Sequence, residues 1–375
     1  MIVGQFSESY PPAIDGVGGV MLNYCRELDR RGHRSIYIAP ENKNAGPIPD
    51  VETMLYKSMK TPASDYHVGF PAMQPSFMEE LRDVPFDLVH AHAPFMAGWL
   101  ARSLAREKHI PLVATFHSKY YDDAYRVTHS RTLSRQLVKM VLDFYDDCDE
   151  VWAVSERTAE VLRSYGYRGP IVIMPNGIDP SEQREPGDIT DLGLRSSALQ
   201  LLFVGQQDYK KGTREIIRSA ALLKEAGIDF QLVMVGEGMD RHALQNLTRE
   251  LQLTDRIQFT GRIVDRGRLM ALYRNADLFV FPSVYDNAPL VVREAALQGT
   301  ASVVVEGSCA AEGIAHGENG YLCDGTAEGI AGAILEALPT AKEAGERASR
   351  TIPVTWEKIG AGIEERYLRL IRDRR

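Results

Sequence analysis

The stretch VYDNAPLVVREAA, residues 284–296, carries two carboxylates eight positions apart, Asp286 and Glu294. Paired carboxylates invite an acid-base reading, but their spacing argues for something longer. Pro289 favours the first turn of a helix and Gly299 its end, so Glu294 falls about one and a half turns inside, roughly 7.5 Å along the axis from Pro289. Asp286 precedes that helix, which separates the carboxylates by on the order of 10 Å. A pair that cleaves one glycosidic bond sits closer, about 5 to 9.5 Å, so a hydrolase is disfavoured. An extended ligand with hydroxyls at both ends and an anion between them fits better. Each carboxylate accepts hydroxyl hydrogen bonds, and the first helical N–H groups, those of Leu290 and Val291, face the anion. A sugar, a diphosphate and a ribose in a row have that shape. The bland alternative is a first-turn aspartate and a surface glutamate beside Arg293.

Other candidates follow apolar runs. In YPPAIDGVGGV, Gly16, Gly18 and Gly19 precede a helix expected to begin near Val20, where bare backbone and a helix N-terminus suit a phosphate or substrate. A dinucleotide fingerprint with Glu41 as ribose partner is the rival, but Met21 stands at its third glycine. A plain structural turn is the other alternative. FVGQQDYKKG places Lys210 and Lys211 before Gly212 and a further helix; a lysine there disfavours the helix unless an anion is expected, although a solvated lysine pair is common. No Walker A loop is present. His90 and His92 share one face of a strand end, and His117 closes VATFHS. Each alone is more often a hydrogen-bonded core or rim histidine, and a metal would need a third ligand to which the sequence does not point.

These residues need elements to hold them. Six apolar runs in the first half (IVGQFS, SIYIAP, FDLVHAHAP, PLVATFHS, EVWAVS, IVIMP) and six in the second (LQLLFVGQ, FQLVMVGEG, RIQFTGRI, ADLFVFPS, ASVVVEGS, GYLC) alternate with amphipathic stretches such as 18–31 and 127–147. They are too apolar for a half-wet antiparallel sheet. The pattern predicts an α/β chain of two doubly wound, Rossmann-like domains. The polar segment SEQREPGDITDLGLRSS divides them, giving domains 1–180 and 181–353. From Thr355 onward, Trp356, Ile359, Ile363, Tyr367, Leu370 and Ile371 recur at helical spacing, so a final helix, 354–375, buries one face. Ligands of open parallel sheets lie outside the carboxyl ends of the strands, and two such sheets facing each other would form an interdomain cleft.

The chain has 375 residues, 44% apolar and 25% charged, with net charge −8. That suits a globular protein and argues against a nucleic-acid partner. No apolar run reaches the roughly 18–20 residues of a membrane span, and MIVGQFSESYPP lacks the regions of a signal peptide, so a cytoplasmic protein is expected. Cys25, Cys148, Cys309 and Cys323 are scattered without a CxxC pair and read as reduced thiols.

Taken in order, GGV, DLVHAHAP, VATFHS, MPNGID, the VGQQDYKKG loop, FTGRI and the acidic-x7-Glu window ending in REAALQG resemble the family 4 retaining glycosyltransferases of the two-domain GT-B fold. The resemblance covers nearly the whole chain. It implies a hexose moved from a nucleotide-diphosphate sugar, a UDP-sugar by preference, to a glycan or lipid-linked acceptor, with no metal and no cofactor beyond that co-substrate. The backbone at Gly18 and Gly19 would approach the donor phosphate and acceptor. His117 would lie beside the transferred sugar, Asp286 would hold its hydroxyls, Lys211 would neutralise the diphosphate, and Glu294 would bind the ribose. Gly261, Arg262 and Ile263 would lie along the base, and the final helix would cross back to the first domain. Tyr10, Asp15 and His92 are acceptor-side candidates. Three departures bear on donor choice: Gln206 stands where an arginine is common, Asp286 is one methylene shorter than the usual glutamate, and Pro289 replaces a glycine. They also keep open a non-catalytic nucleotide-sugar-binding scaffold, with an NAD-dependent oxidoreductase a weaker alternative. Residues 101–140 carry eight Lys and Arg against three Asp and Glu, which fits either a peripheral contact with an anionic membrane at its inner face or a solvated helix face.

Overall fold

The structure is a computed structural model describing all residues except 11–15, 43–45, 47, 62–66, 184–186 and 375. Asp15 therefore lies outside the described residues. The chain divides into two compact units, Met1–Asn176 with Trp356–Arg375, and Gly177–Thr355.

The first unit is built on a seven-stranded parallel sheet in the order β3-β2-β1-β6-β7-β8-β9. Its strands are β1 (Ile2–Phe6), β2 (Arg34–Pro40), β3 (Glu52–Tyr56), β6 (Leu88–Ala91), β7 (Leu112–Phe116), β8 (Glu150–Ala153) and β9 (Ile171–Ile173), with a separate antiparallel pair, β4 (Ser58–Lys60) and β5 (His67–Gly69). Helices α1 (Gly16–Arg30), α2 (Pro75–Asp83), α3 (Met96–Lys108), α4 (Tyr120–Thr128), α5 (Arg131–Tyr145) and α6 (Glu156–Ser164) connect them. All five residues of β7 and all four of β6 and β8 are buried, as strands covered on both faces require. Strand β3 and the β4–β5 pair were not among the expected strands. ETMLY is an edge strand in which buried Met54 and Tyr56 alternate with half-buried Thr53 and Leu55, and its apolar run is too short to stand out.

Two helix boundaries differ from expectation. Helix α1 starts at Gly16, so Gly18 and Gly19 lie in its first turn instead of preceding it. The apolar face over 127–147 belongs to two helices. His129 ends α4 in the left-handed region at φ 51°, and the Ser130 hydroxyl then caps α5 by accepting the Leu133 N–H.

The second unit carries a six-stranded parallel sheet in the order β12-β11-β10-β13-β14-β15. Its strands are β10 (Leu199–Val204), β11 (Phe230–Val235), β12 (Ile257–Gly261), β13 (Leu278–Phe281), β14 (Ala301–Val305) and β15 (Gly320–Cys323). Helices α7 (Thr213–Glu225), α8 (Arg241–Glu250), α9 (Arg266–Asn275), α10 (Leu290–Leu297), α11 (Ala327–Ala337) and α12 (Ala341–Thr351) complete it. The polar segment before β10 is not loose throughout: Ile189, Leu192 and Leu194 pack on this unit's core, and Asp191 pairs with Arg268 at 2.6 Å.

The last helix, α13 (Trp356–Arg374), belongs to the first unit. Its face of Trp356, Ile359, Ile363, Tyr367 and Ile371 is buried, stabilising the unit by about 1.5–3 kcal/mol for each large apolar side chain. Glu364 meets Arg31 at 3.1 Å and His33 at 2.8 Å, while Arg366 and Arg369 converge on the buried Glu150. The four cysteines are free thiols.

In each sheet the strand order reverses once, between β1 and β6 and between β10 and β13. Loops leaving the carboxyl ends of such strands diverge and expose a crevice, and both reversals carry candidate residues.

Candidate functional site

In the second unit, Gly205 to Asp208 follow β10 and Ser283 to Pro289 follow β13. The reversal brings Lys211 and Asp286, 75 positions apart, into an ion pair of 2.5 Å. Ser283 donates to the other oxygen of Asp286 at 2.5 Å, and the Tyr285 ring lies 5.5 Å from the Lys211 ammonium. Lys211 is buried, directly before Gly212, whose φ of 72° caps α7 in the left-handed region. Lys210 is not a solvated bystander: it pairs with Asp208 at 3.2 Å and sits 4.8 Å from the same tyrosine ring. The sequence reading placed Asp286 at the sugar and Lys211 at the diphosphate; the structure shows the two neutralising each other.

Helix α10 begins at Leu290 with Pro289 as its N-cap at φ −68° and ψ 115°, one position later than expected. Proline offers no side-chain cap, so the first N–H groups, those of Leu290 and Val291 among them, lack one. Glu294 is buried in this helix. Its Oε1 accepts from Arg266 at 2.9 Å and its Oε2 from the Tyr273 hydroxyl at 3.0 Å. Asp286 and Glu294 thus address different partners. Sequence reasoning missed Arg266 and Tyr273, which lie on α9 and show no motif; only the strand-end position of Ser283 offered a signal.

Gly261 ends β12 at φ 75°, and a Cβ there would fall 2.7 Å from Glu237 Oε1. The Glu237 carboxylate can swing aside, so it is the positive φ that favours glycine here. Glu237 is paired with Arg241. Arg262, just beyond β12, and Gln206, just beyond β10, are exposed, and Ile263 packs against the core.

In the first unit the three histidines meet. His90 and His92 stack at 4.3 Å between ring centroids, and His92 stacks on His117 at 5.4 Å. His92 Nδ1 lies 3.1 Å from His117 Nε2. Burial holds all three imidazoles below their ordinary range, His117 at about 3, and for His90 and His92 the neighbouring histidines add to it. They are neutral at working pH. Among the described residues no group of three or more His, Cys, Asp or Glu is arranged to hold a metal ion.

Of the acceptor-side candidates, Tyr10 is buried and its hydroxyl donates to Gly46 O at 3.4 Å, while His92 is buried within the histidine stack. Gly18 is buried and Gly19 half-buried in the first turn of α1. A residue that sequence reasoning passed over is Glu8, just beyond β1. Its carboxylate accepts the Ala97 N–H at the start of α3 at 2.6 Å. Burial raises its pKa to about 7, against the lowering effect of that hydrogen bond.

Residues 14–182 match the family described as Glycosyltransferase Family 4, and residues 188–351 match Glycosyl transferases group 1. The chain is similar to an alpha-monoglucosyldiacylglycerol synthase of Streptococcus pneumoniae, 24% identical over 381 residues that cover 98% of this chain and 86% of the relative. It is also similar to a GDP-mannose-dependent alpha-mannosyltransferase of Corynebacterium glutamicum, 27% identical over 375 residues, 96% of this chain and 84% of the relative. Among solved structures, sucrose-phosphate synthase from Thermosynechococcus elongatus has a similar fold, with a TM-score of 0.83 at 20% identity over 99% of both chains. Anabaena HepE, in complex with UDP and glucose, gives a TM-score of 0.76 at 18% identity over 97% of this chain and 98% of its own.

Proposed function

The chain belongs to the family 4, group 1 glycosyltransferases, with the GT-B fold, and from that premise we propose that it moves a hexose from a nucleotide-diphosphate sugar to a glycan or lipid-linked acceptor with retention of configuration. The observation that carries this reading is the ion pair of buried Lys211 with Asp286, close in sequence to the uncapped N-terminus of α10, with Glu294 held inside that same helix. Lys211 is a buried cation whose counter-charge a diphosphate would replace. In the proposed donor complex the diphosphate takes over Lys211 and the first N–H groups of α10, and Asp286 turns to the sugar hydroxyls. Glu294, fixed by Arg266 and Tyr273, accepts from the ribose, and the Gly261–Ile263 edge meets the base. Gly18 and Gly19 let backbone approach the donor phosphate.

The proposed transfer needs no group beyond the two substrates. The bond from the sugar's anomeric carbon to the diphosphate oxygen breaks while the acceptor oxygen bonds to that carbon on the same face. The acceptor's proton passes to the departing phosphate oxygen, and Lys211 with the helix N-terminus stabilises the charge that develops there. His117 is assigned to the transferred sugar as a neutral hydrogen-bonding group, with Tyr10 and His92 on the acceptor side.

A panel of UDP- and GDP-sugars tests the reading. One of them, a UDP-sugar first, raises the melting temperature, and with a cell-extract acceptor pool it yields a product whose anomeric coupling matches that of the donor. If no nucleotide or nucleotide sugar shifts the melting temperature, the reading fails. A non-catalytic nucleotide-sugar binder is the second reading, favoured by Gln206, Asp286 and Pro289; turnover of any donor, even to free sugar, rules against it. Preferential binding of NAD over UDP would instead support an oxidoreductase.

For the acceptor we further propose a peripheral contact with anionic lipid through α4 and α5, where Tyr125, Val127 and Leu133 are exposed among Arg126, Arg131, Arg135 and Lys139. No helix of the described residues is long and apolar enough to cross a membrane.

A further inference from the structure

The first unit holds a carboxylate, that of Glu8, which the proposed transfer leaves unused. Glu8 lies two residues beyond β1. There the His92 N–H donates to Phe6 O at 2.8 Å, so the segments leaving β1 and β6 start side by side at the reversal of strand order. Glu8 bridges them, its Oε1 accepting the Ala97 N–H at 2.6 Å. Its Oε2 has no hydrogen-bond partner among the described residues, and no cation of those residues pairs with it.

Capping accounts for half of this carboxylate. Helix α3 has Phe95 at its N-cap, without a side-chain hydrogen bond, and the Phe95 ring stands edge-on to Tyr120 at 5.5 Å. One oxygen of Glu8 supplies the missing acceptor. A serine or asparagine in place of Phe95 would do as much locally and without charge. Instead a half-buried carboxylate reaches across from the β1 segment with no counter-charge. Burying an unpaired charge is costly, and such costs gather where the group is used. Burial pushes the Glu8 carboxyl up to about 7 against the lowering effect of the Ala97 hydrogen bond. Its charge reaches the phenols of Tyr56 on β3 and Tyr120 on α4, both buried and both raised above their ordinary range, chiefly by burial. The Tyr56 hydroxyl, like Glu8 Oε2, has no hydrogen-bond partner among the described residues.

We propose that Glu8 is an acceptor-binding residue whose Oε2 accepts a hydrogen bond from a hydroxyl of a polyhydroxylated acceptor in the crevice at the β1–β6 reversal. A carboxylate without a cation repels a diphosphate, whereas a neutral hydroxyl gives it a charge-assisted hydrogen bond. The geometry therefore fits the acceptor and not the donor phosphates. The ionised carboxylate makes the stronger bond, so acceptor affinity rises as pH passes upward through about 7. This rests on the reading of the chain as a transferase.

Glu8→Gln separates the two roles, because the amide keeps an oxygen for the Ala97 N–H and loses the charge. The probes are a chloroform–methanol lipid extract of cells and an aqueous glycan extract, each supplied at graded dilution with the donor identified by the nucleotide-sugar panel. For whichever extract the wild type glycosylates, Glu8→Gln raises the apparent KM on the order of tenfold, with a smaller change in kcat. Calorimetry shows its donor affinity unchanged. The wild-type KM for the extract falls between pH 6 and 8, and that of Glu8→Gln stays level. An extract KM within about twofold of wild type in Glu8→Gln, whatever happens to its melting temperature, overturns the proposal and leaves Glu8 as a helix cap. Should Glu8→Gln fail to fold, Glu8→Asp carries the test. It keeps the charge but is one methylene short of serving Ala97 and an acceptor together, so its extract KM also rises, and an unchanged one counts against the proposal in the same way. A wild type that transfers to neither extract brings down the transferase reading, and this proposal with it.

Discussion

In the proposed donor complex the diphosphate replaces Asp286 as the partner of Lys211, and this gives their variants opposite signatures. Lys211→Ala removes the cation, and kcat/KM for the donor falls on the order of 100-fold. Asp286→Asn removes the competitor instead, so nucleoside diphosphate alone binds tighter, by about tenfold at most for a partly exposed pair, while sugar transfer slows. Glu294→Ala weakens donor binding, and His117→Ala lowers kcat more than it weakens the donor. Calorimetry with the nucleoside diphosphate, alongside steady-state kinetics, separates these cases; unchanged binding in both Lys211→Ala and Glu294→Ala would place the donor elsewhere. The residues themselves were legible, because strand-end positions followed by glycine, lysine or a helix start are local patterns. Their pairing was not, since Lys211 meets Asp286 only after the strand order reverses between β10 and β13.

Among elements, the α4–α5 pair combines exposed apolar side chains with a basic face, which on an anionic surface adds about 1 kcal/mol per Lys or Arg. Replacing Arg131, Arg135 and Lys139 with Gln should therefore cost about 3 kcal/mol of vesicle affinity, roughly 100-fold. Co-sedimentation with anionic vesicles at low salt should weaken steeply as the Debye length shrinks to about 3 Å at 1 M salt. Binding that persisted at 1 M salt, or never occurred at low salt, would contradict the electrostatic contact. The periodicity over 127–147 hid a break, because the side chains on both sides of His129 and Ser130 continue one apolar pattern. What interrupts the helix is a left-handed residue and a serine cap, a local choice that leaves hydrophobic spacing almost unchanged. Helix α1 starts early for a related reason: Gly16, Gly18 and Gly19 read as loop by propensity, but packing against β2 outweighs a glycine cost of about 1 kcal/mol each.

For the molecule as a whole, the buried histidines tie stability to pH. His90, His92 and His117 have folded-state pKa values below the unfolded range, by burial first. The unfolded chain therefore takes up protons that the folded state refuses as pH falls through about 6.5, and stability drops by up to about 1.4 kcal/mol per pH unit for each histidine. Glu8 acts in the opposite sense. With its folded value raised to about 7, the native state holds a proton that the unfolded chain releases above about pH 4.5, so this group gains stability as pH falls through 7. Of these four groups, the three histidines outweigh the one glutamate, so together they lower stability as pH falls from about 6 to 5. Urea denaturation at pH 7.5, 6 and 5 reads this as a falling midpoint, and a flat or rising one would show the histidines accessible to protons in the folded state.

By itself the sequence determined the alternation of buried strand and amphipathic helix, the two sheets, the buried face of α13, and the strand-end segments on which Lys211, Asp286 and His117 sit, with Glu294 in the helix that follows. These follow from periodicity and turn chemistry, which act over a few residues. Only the tertiary structure decided that Lys211 neutralises Asp286, that Arg266 and Tyr273 clamp Glu294, and that Tyr367 of the last helix stands behind Gln5 of the first strand, 362 positions away. A hydrogen bond is a matter of about 3 Å in space, and no local rule carries that distance between residues which only the strand order and the return of α13 bring together.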